Sequence, residues 1–363
     1  MSDKTSPIEQ KKLLDSFFQK PPADPHTFFT LIQDLVCSAD TLCAVTAASQ
    51  LGIFDLLKKP GRAQDIAVLC KYPEMADPLL RILTDIGLLD KNGDTFVCTP
   101  IAHTFLTIDS PYNQFPYLEK QIRHLSELWI PLMDILKNGP RMYDEQEFFA
   151  SMSLPSMAVN ALCGRLQDVV SGISALPRFS QCSSLIDLGG GHGLYAIALA
   201  SLNPGMHATV FDLPEVTPLA KKYISRYGMQ ERVCTKGGNF FTDDIGGKYD
   251  IILSSSNPSG KSIDMLKNIV SHLNDGGYFV NVQPGDTVQD EESVNEMEWL
   301  LWSFIGTKGS KISWGKKKSF FTPEYQKSLL ETGLSIVSVT QVSDPYMKGY
   351  QVTMVIAEKL KIV

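Results

Sequence analysis

Asp187, Gly189, Gly191 and Gly193 occupy alternate positions in Ser184-Leu-Ile-Asp-Leu-Gly-Gly-Gly-His-Gly193, and Asp212 closes the next apolar run, Ala208-Thr-Val-Phe211. An apolar run that ends in a carboxylate and a glycine turn reads as a buried strand opening onto a helix. Glycines there let the backbone come close to a ligand, because no Cβ stands in the way. A carboxylate ending the following strand can accept hydrogen bonds from both hydroxyls of a ribose. Together these residues suit a nucleoside-containing cofactor.

The nicotinamide frame G-x-G-x-x-G/A fits Gly191, Gly193 and Ala196, so the pattern alone leaves NAD open. That frame starts the turn late and leaves Asp187 without a role. An acidic residue at the head of the turn repels a pyrophosphate but suits a cofactor carrying a free amino group. The fingerprint also lies mid-chain, after roughly 180 residues of another character. The frame D-x-G-x-G-x-G fits Asp187 to Gly193 at every fixed position. It resembles the S-adenosylmethionine turn of class I methyltransferases.

The elements that hold this turn can be read along the chain. Residues 1–25 are polar and proline-rich and read as a flexible tail. Residues 27–51 have helical apolar spacing, residues 62–69 form a short helix, and residues 77–88 form another with Asp77 at the N-cap and Pro78 after it. Lys91-Asn-Gly-Asp94 is a hairpin turn before the strand Thr95-Phe-Val-Cys-Thr99. Helix, helix and wing make a winged-helix arrangement over residues 26–108. Its supposed recognition helix carries Arg81 against Asp77 and Asp85, too little positive charge to read DNA, so it reads as a dimerisation element. Residues 109–178 read as a helical linker that covers the substrate, with aromatic residues and methionines scattered through it. From residue 179 to 363 strands alternate with helices, and two closing β-rich runs, 335–341 and 351–358, predict one antiparallel strand in a seven-stranded sheet.

Composition sets outer limits. The 363 residues suggest two domains or one large one, and at 44% hydrophobic and 20% charged they are ordinary for a soluble globular chain. A net charge of −7 argues against nucleic acid, and the run Lys316-Lys317-Lys318 is too short to reverse that. The N-terminus has no apolar signal core, and no run reaches the roughly 18 apolar residues of a membrane span. Seven cysteines without a C-x-x-C pair read as reduced thiols in a cytoplasmic protein without a metal centre.

The chain resembles the small-molecule O-methyltransferases of the caffeate and hydroxyindole type. The resemblance runs from about residue 30 through Ala47-Ala-Ser-Gln-Leu-Gly-Ile-Phe-Asp-Leu-Leu57, Gly87-Leu-Leu with Thr99-Pro100, the glycine turn, and Phe211-Asp-Leu-Pro-Glu-Val216. It implies an α/β class I methyltransferase domain, Rossmann-like, behind a mainly helical N-terminal winged-helix homodimerisation domain. It also implies S-adenosylmethionine as cofactor, held by Asp187, Gly189, Gly191, Gly193, Asp212, Leu213, Asn239, Phe240 and Ser255. Asn239, in Gly238-Asn-Phe-Phe241, stands where the family usually has an Asp that contacts adenine.

The catalytic loop departs further. Where the family has His-Asp-Trp and an acidic pair, this chain has Ser254-Ser-Ser-Asn-Pro-Ser-Gly-Lys-Ser262. A positioned base contributes roughly 10²–10⁴-fold. A phenol with a pKa of about 10 needs it, whereas a thiol near 8.5 is already a few per cent ionised at neutral pH. The replacement candidates are His124 and Tyr143, both in the covering helices; His192 lies inside the glycine turn and His272 at the end of a sheet-packing helix. The expected activity is methyl transfer to a small molecule, at a thiol, thioether, carbon or nitrogen, or at a hydroxyl with an unusual base. The rivals are a cofactor-binding protein of the same fold with other chemistry or a sensing role, and an NAD-dependent oxidoreductase.

Overall fold

The computed structural model describes residues 7–287, 292–305, 321–344 and 350–360. The chain divides into two units, Met1–Ile108 and Asp109–Val363. The lysine run at 316–318 lies outside the described residues.

In the first unit a helix, Pro7–Asp15, precedes the long helix Pro25–Gln50. Asp24 caps the long helix, its carboxylate accepting from the N–H groups of His26 (3.2 Å) and Thr27 (3.1 Å). Ile53, Phe54, Leu57, Ile66, Leu80, Leu83, Leu89 and Phe96 form the core. Three short strands, β1 (Gly61–Arg62), β2 (Leu89–Asn92) and β3 (Thr95–Cys98), pair antiparallel in the order β1-β3-β2. Gly93 turns the β2–β3 hairpin with φ of 59°. Asp77 is not a cap: the helix Ala76–Asp85 follows a tight turn over Pro73–Met75, and Asp77 sits in its first turn, paired with Arg81 at 3.1 Å. The outer face of Pro25–Gln50 is apolar and open, with Phe28, Phe29, Leu31, Leu35 and Val36 all exposed. That helix is long and apolar enough to cross a membrane, although Asp34 and Asp40 interrupt it.

The second unit is built on seven strands. After β4 (Arg141–Tyr143), these are β5 (Ser184–Leu188), β6 (His207–Asp212), β7 (Val233–Gly237), β8 (Tyr249–Ser255) and β9 (Leu273–Thr287). Then β10 (Trp302–Phe304) precedes β11 (Leu334–Val342) and β12 (Tyr350–Lys359). The sheet order is β11-β12-β9-β8-β5-β6-β7, and β12 alone is reversed, antiparallel to both β9 and β11. Leu185, Ile186 and Leu188 are buried on both faces, as a central parallel strand requires. Helices Leu194–Leu202 and Arg165–Ser174 cover one face, and Ile263–His272 and Pro323–Glu331 the other.

The covering segment is not wholly helical. It contains the strand β4, which pairs in parallel with β10, and two π-helical stretches, Leu125–Trp129 and Phe148–Ser153. All seven cysteines are free thiols.

Candidate active site

Gly189, Gly191 and Gly193 all adopt left-handed backbone, with φ of 63°, 52° and 72°. That alternation turns the chain from β5 into the helix Leu194–Leu202 within five residues, which a side chain at these positions would oppose. Space is equally short: a Cβ on Gly191 would stand 2.6 Å from Leu154 Cδ2, and one on Gly189 would stand 2.9 Å from Asn257 Nδ2. The turn is thereby wedged between the covering helices and the loop after β8.

Two carboxylates flank it. Asp212, at the end of β6, accepts the Gly191 N–H at 2.8 Å through Oδ2 and the Leu213 N–H at 2.7 Å through Oδ1. Burial raises its pKa, and those two bonds oppose the rise. Asp187, at the end of β5, is 1% exposed, and neither carboxylate oxygen has a partner among the described residues. Burial first, then the charge of Asp212, pushes its pKa up to about 8. An unpartnered buried carboxylate beside a glycine turn suits an ammonium group, which would supply both the missing hydrogen bonds and the missing charge. The donor set therefore fits S-adenosylmethionine, whose methionyl portion carries one.

The other expected cofactor residues are spread around the same strand ends. Leu213 follows Asp212 directly and is half-buried. Asn239 is exposed, its Oδ1 accepting from the Phe241 N–H at 2.9 Å, and Phe240 packs partly into the core beneath. Ser255 hydrogen-bonds the buried hydroxyl of Tyr195. His192 is 6% exposed and holds the Leu194 N–H on Nδ1 at 3.1 Å. Burial, reinforced by Arg165, lowers its pKa to about 4, so it stays neutral and serves the turn.

The loop after β8 is tied inward. Asn257 Nδ2 donates to the Leu188 carbonyl at 2.6 Å, and its Oδ1 accepts from the Ser259 N–H at 3.0 Å. Ser254 Oγ and Ser259 Oγ are 2.8 Å apart. Below them Asn281 Nδ2 donates to the Gly260 carbonyl (2.6 Å) and to Tyr325 Oη (2.9 Å). Ser256 is the one non-glycine with positive φ (54°) among the described residues, and Arg165 donates to its Oγ at 3.0 Å. Lys261 is exposed, and desolvation by the surrounding protein lowers its pKa. The loop carries serines, Asn257 and Lys261, with no histidine or carboxylate.

Of the two replacement candidates, Tyr143 donates its phenolic proton to Glu127 Oε2 at 2.6 Å. Burial, then that bond and the charge of Glu127, push its pKa well up, so it keeps its proton. His124 is 4% exposed, with Nδ1 3.0 Å from Glu298 Oε1. Both carboxylate partners were invisible to sequence reasoning, since nothing in the local pattern links position 298 to a residue 174 positions away. The network of Asn281, Gln283 and Tyr325 was missed as well; its signal was two amides alternating within an otherwise apolar strand.

Comparison with known proteins decides the family. Residues 158–307 match the model of the O-methyltransferase domain. An uncharacterized protein of Methanocaldococcus jannaschii is 30% identical over 90% of this chain and 89% of its own length. Human acetylserotonin O-methyltransferase is 31% identical over 73% of this chain and 83% of its own. The chain belongs to the O-methyltransferase family. The fold agrees: the structure of human N-acetylserotonin methyltransferase in complex with SAM superposes with a TM-score of 0.64, covering 94% of this chain and 100% of that one at 21% identity. This O-methyltransferase relative is thus an S-adenosylmethionine-dependent enzyme with the class I methyltransferase fold, and the nicotinamide reading gives way.

Proposed function

We propose that the enzyme methylates a planar aromatic small molecule, seated against the aromatic cluster of the covering helices. One observation carries this reading. Leu154 lies against Gly191 of the cofactor turn, and two residues before it in the chain Met152 joins the cluster of Phe148, Trp302 and Phe304. Phe148 and Trp302 stack at 4.4 Å, while Trp129, Phe149 and Trp299 are only half-buried beside them. A part-open aromatic face suits a flat ring, which such pairs favour by roughly 0.5–1.5 kcal/mol beyond simple burial. Acetylserotonin, which names one relative, is a molecule of that kind.

When bound, S-adenosylmethionine supplies the methyl group, its carbon–sulfur bond breaking with the electron pair left on sulfur. In this reading Asp187 holds the amino group, Asp212 the ribose hydroxyls, and the backbone of Gly189, Gly191 and Gly193 the carboxylate side. Leu213, Asn239, Phe240 and Ser255 surround the nucleoside. The covering helices exclude water and orient the acceptor, which is where most of the rate advantage of such a transfer lies.

The first unit is read as a winged-helix module that pairs two copies through the open face of Pro25–Gln50. Exposed apolar surface of that extent is normally covered, and the scarce cations argue against DNA. Free thiols fit a reducing, cytoplasmic setting.

Titration calorimetry with S-adenosylmethionine and NAD, followed by adenosylhomocysteine release with N-acetylserotonin, tests the enzyme reading. Binding of S-adenosylmethionine without any product from aromatic acceptors would favour the sensing alternative. Light scattering tests the dimer; a monomer at micromolar concentration would refute it.

A further inference from the structure

His124 ends the helix Phe115–His124 at the point where a π-helical stretch, Leu125–Trp129, begins. A second such stretch, Phe148–Ser153, leads into Leu154 on the cofactor turn. Such irregular turns reposition side chains and recur at functional sites. Between the two stretches stand the aromatic residues described above, with Leu128 one turn from His124.

The imidazole is held in one orientation. Glu298 Oε1 can only accept, so the proton between them sits on His124 Nδ1. In the neutral ring that leaves Nε2 with its lone pair, and Nε2 is buried without a partner among the described residues. Trp129 donates to Glu298 as well and fixes the carboxylate from the other side. A structural histidine would have both nitrogens satisfied; an unfilled acceptor buried from water awaits a donor.

We propose that His124 is the catalytic base of this enzyme, positioned by Glu298, and that the group it serves is an aromatic hydroxyl. The proposal rests on the methyl-transfer reading above and completes it where the loop after β8 supplies no base. The hydroxyl proton passes to the Nε2 lone pair, and the O–H electron pair stays on oxygen. That oxygen then bonds the transferred methyl carbon, and the imidazolium charge is shared with Glu298. A thioether or carboxylate has no need of such a base, and a thiol needs it less. The acceptor that demands one is a phenol.

Among the described residues, few charged groups face the pair. Lys120 and Arg123 lie on the His124 helix, and Lys120 acts on Glu298; Glu127, Arg123 and Tyr143 form a separate network with Arg141 nearby.

The test uses the full-length protein with N-acetylserotonin and 4-nitrophenol. His124→Asn should lower kcat by roughly 10²–10⁴-fold, the range for loss of a general base, with KM and cofactor affinity little changed. Glu298→Gln should lower kcat roughly tenfold or more through loss of the orienting carboxylate, and Glu298→Asp should restore part of it. A second readout needs no turnover. With adenosylhomocysteine present, bound 4-nitrophenol should show more of its phenolate absorbance band than the free phenol at the same pH, and His124→Asn should abolish the excess. If His124→Asn no longer binds cofactor, the half-exposed Glu298 variants decide. The proposal is overturned if the variants keep kcat within about threefold. A phenolate band that does not respond to His124, or turnover of thiols and amines but not phenols, would overturn it too. A protein that fails to bind S-adenosylmethionine would instead sink the methyl-transfer reading.

Discussion

Asp187 and Asp212 end neighbouring parallel strands, and the charge of Asp212 helps hold the Asp187 carboxyl protonated near neutrality. Asp212 has two N–H donors on it and Asp187 has none among the described residues. Asp212 is therefore already engaged by the turn before any ligand arrives, while both oxygens of Asp187 are left for the ligand.

A proton balance follows from this pair. With a pKa of about 8, Asp187 is mostly protonated at pH 7 in the free protein. Pairing with the cofactor ammonium would ionise it, so binding should release up to about one proton at pH 7. Calorimetry in buffers of different ionisation heat measures this, and Asp187→Asn should remove the release. Stability carries the matching sign. Because the folded-state value lies above the ordinary 3.8, the folded protein binds more protons than the unfolded chain between about pH 4 and 8. Taken alone, Asp187 should cost the free protein stability as pH rises through that window, and the cofactor should recover it. His192, lowered from 6.5 to about 4, acts in the opposite sense between about pH 4 and 6.5, so the loss due to Asp187 should show between about pH 6.5 and 8.

Asp212→Ala should weaken S-adenosylmethionine binding by roughly 1–3 kcal/mol, about 5- to 150-fold, as charge-assisted hydrogen bonds to the ribose are lost. The melting temperature of the free protein should fall too, because the Gly191 and Leu213 N–H groups lose their acceptor. A variant that melts earlier but binds normally would assign Asp212 to the turn alone.

Much of this was legible in the residues. Strands β5 to β9 announce themselves as apolar runs punctuated by glycine, aspartate and proline, and the glycine turn fits its motif position by position. The reversed β12 follows from two β-rich runs too close for a crossover helix. The pairing of β4 with β10 was not legible, because Arg141-Met-Tyr143 is three residues long and its partner lies far along the chain. Asp77 was misread because the tight turn over Pro73–Met75 moves the helix start upstream. His124 could be singled out by elimination, but its meaning depends on Glu298, a tertiary contact that no local pattern encodes.

Gly191→Ala should be the most damaging substitution among Gly189, Gly191 and Gly193 of the turn. It forces a side chain into left-handed backbone, φ 52°, and onto Leu154 at 2.6 Å. Such strain costs roughly 1–3 kcal/mol, and displacing Leu154 should also disturb the aromatic cluster behind it. Gly193→Ala, 3.1 Å from Val210, meets one rotatable branch and should disturb that cluster less. Thermal melts and cofactor titration of the two variants check the order; equal loss of affinity in both would show that Leu154 does not transmit the change.

The loop after β8 should prove structural. Asn257 bridges Leu188 beside the cofactor turn to the Ser259 N–H, so Asn257→Ala should cost about 1–3 kcal/mol of stability and weaken cofactor binding. Ser259→Ala loses a hydroxyl contact with Ser254 and should lower stability, yet change kcat by less than about tenfold. Lys261→Ala should do the same to kcat with little effect on stability, since the side chain is exposed. Single-turnover rates, measured at saturating cofactor, separate these effects from binding. A thousandfold loss in either the Ser259 or the Lys261 variant, with cofactor affinity intact, would return the catalytic group to this loop and displace His124 from the role assigned to it.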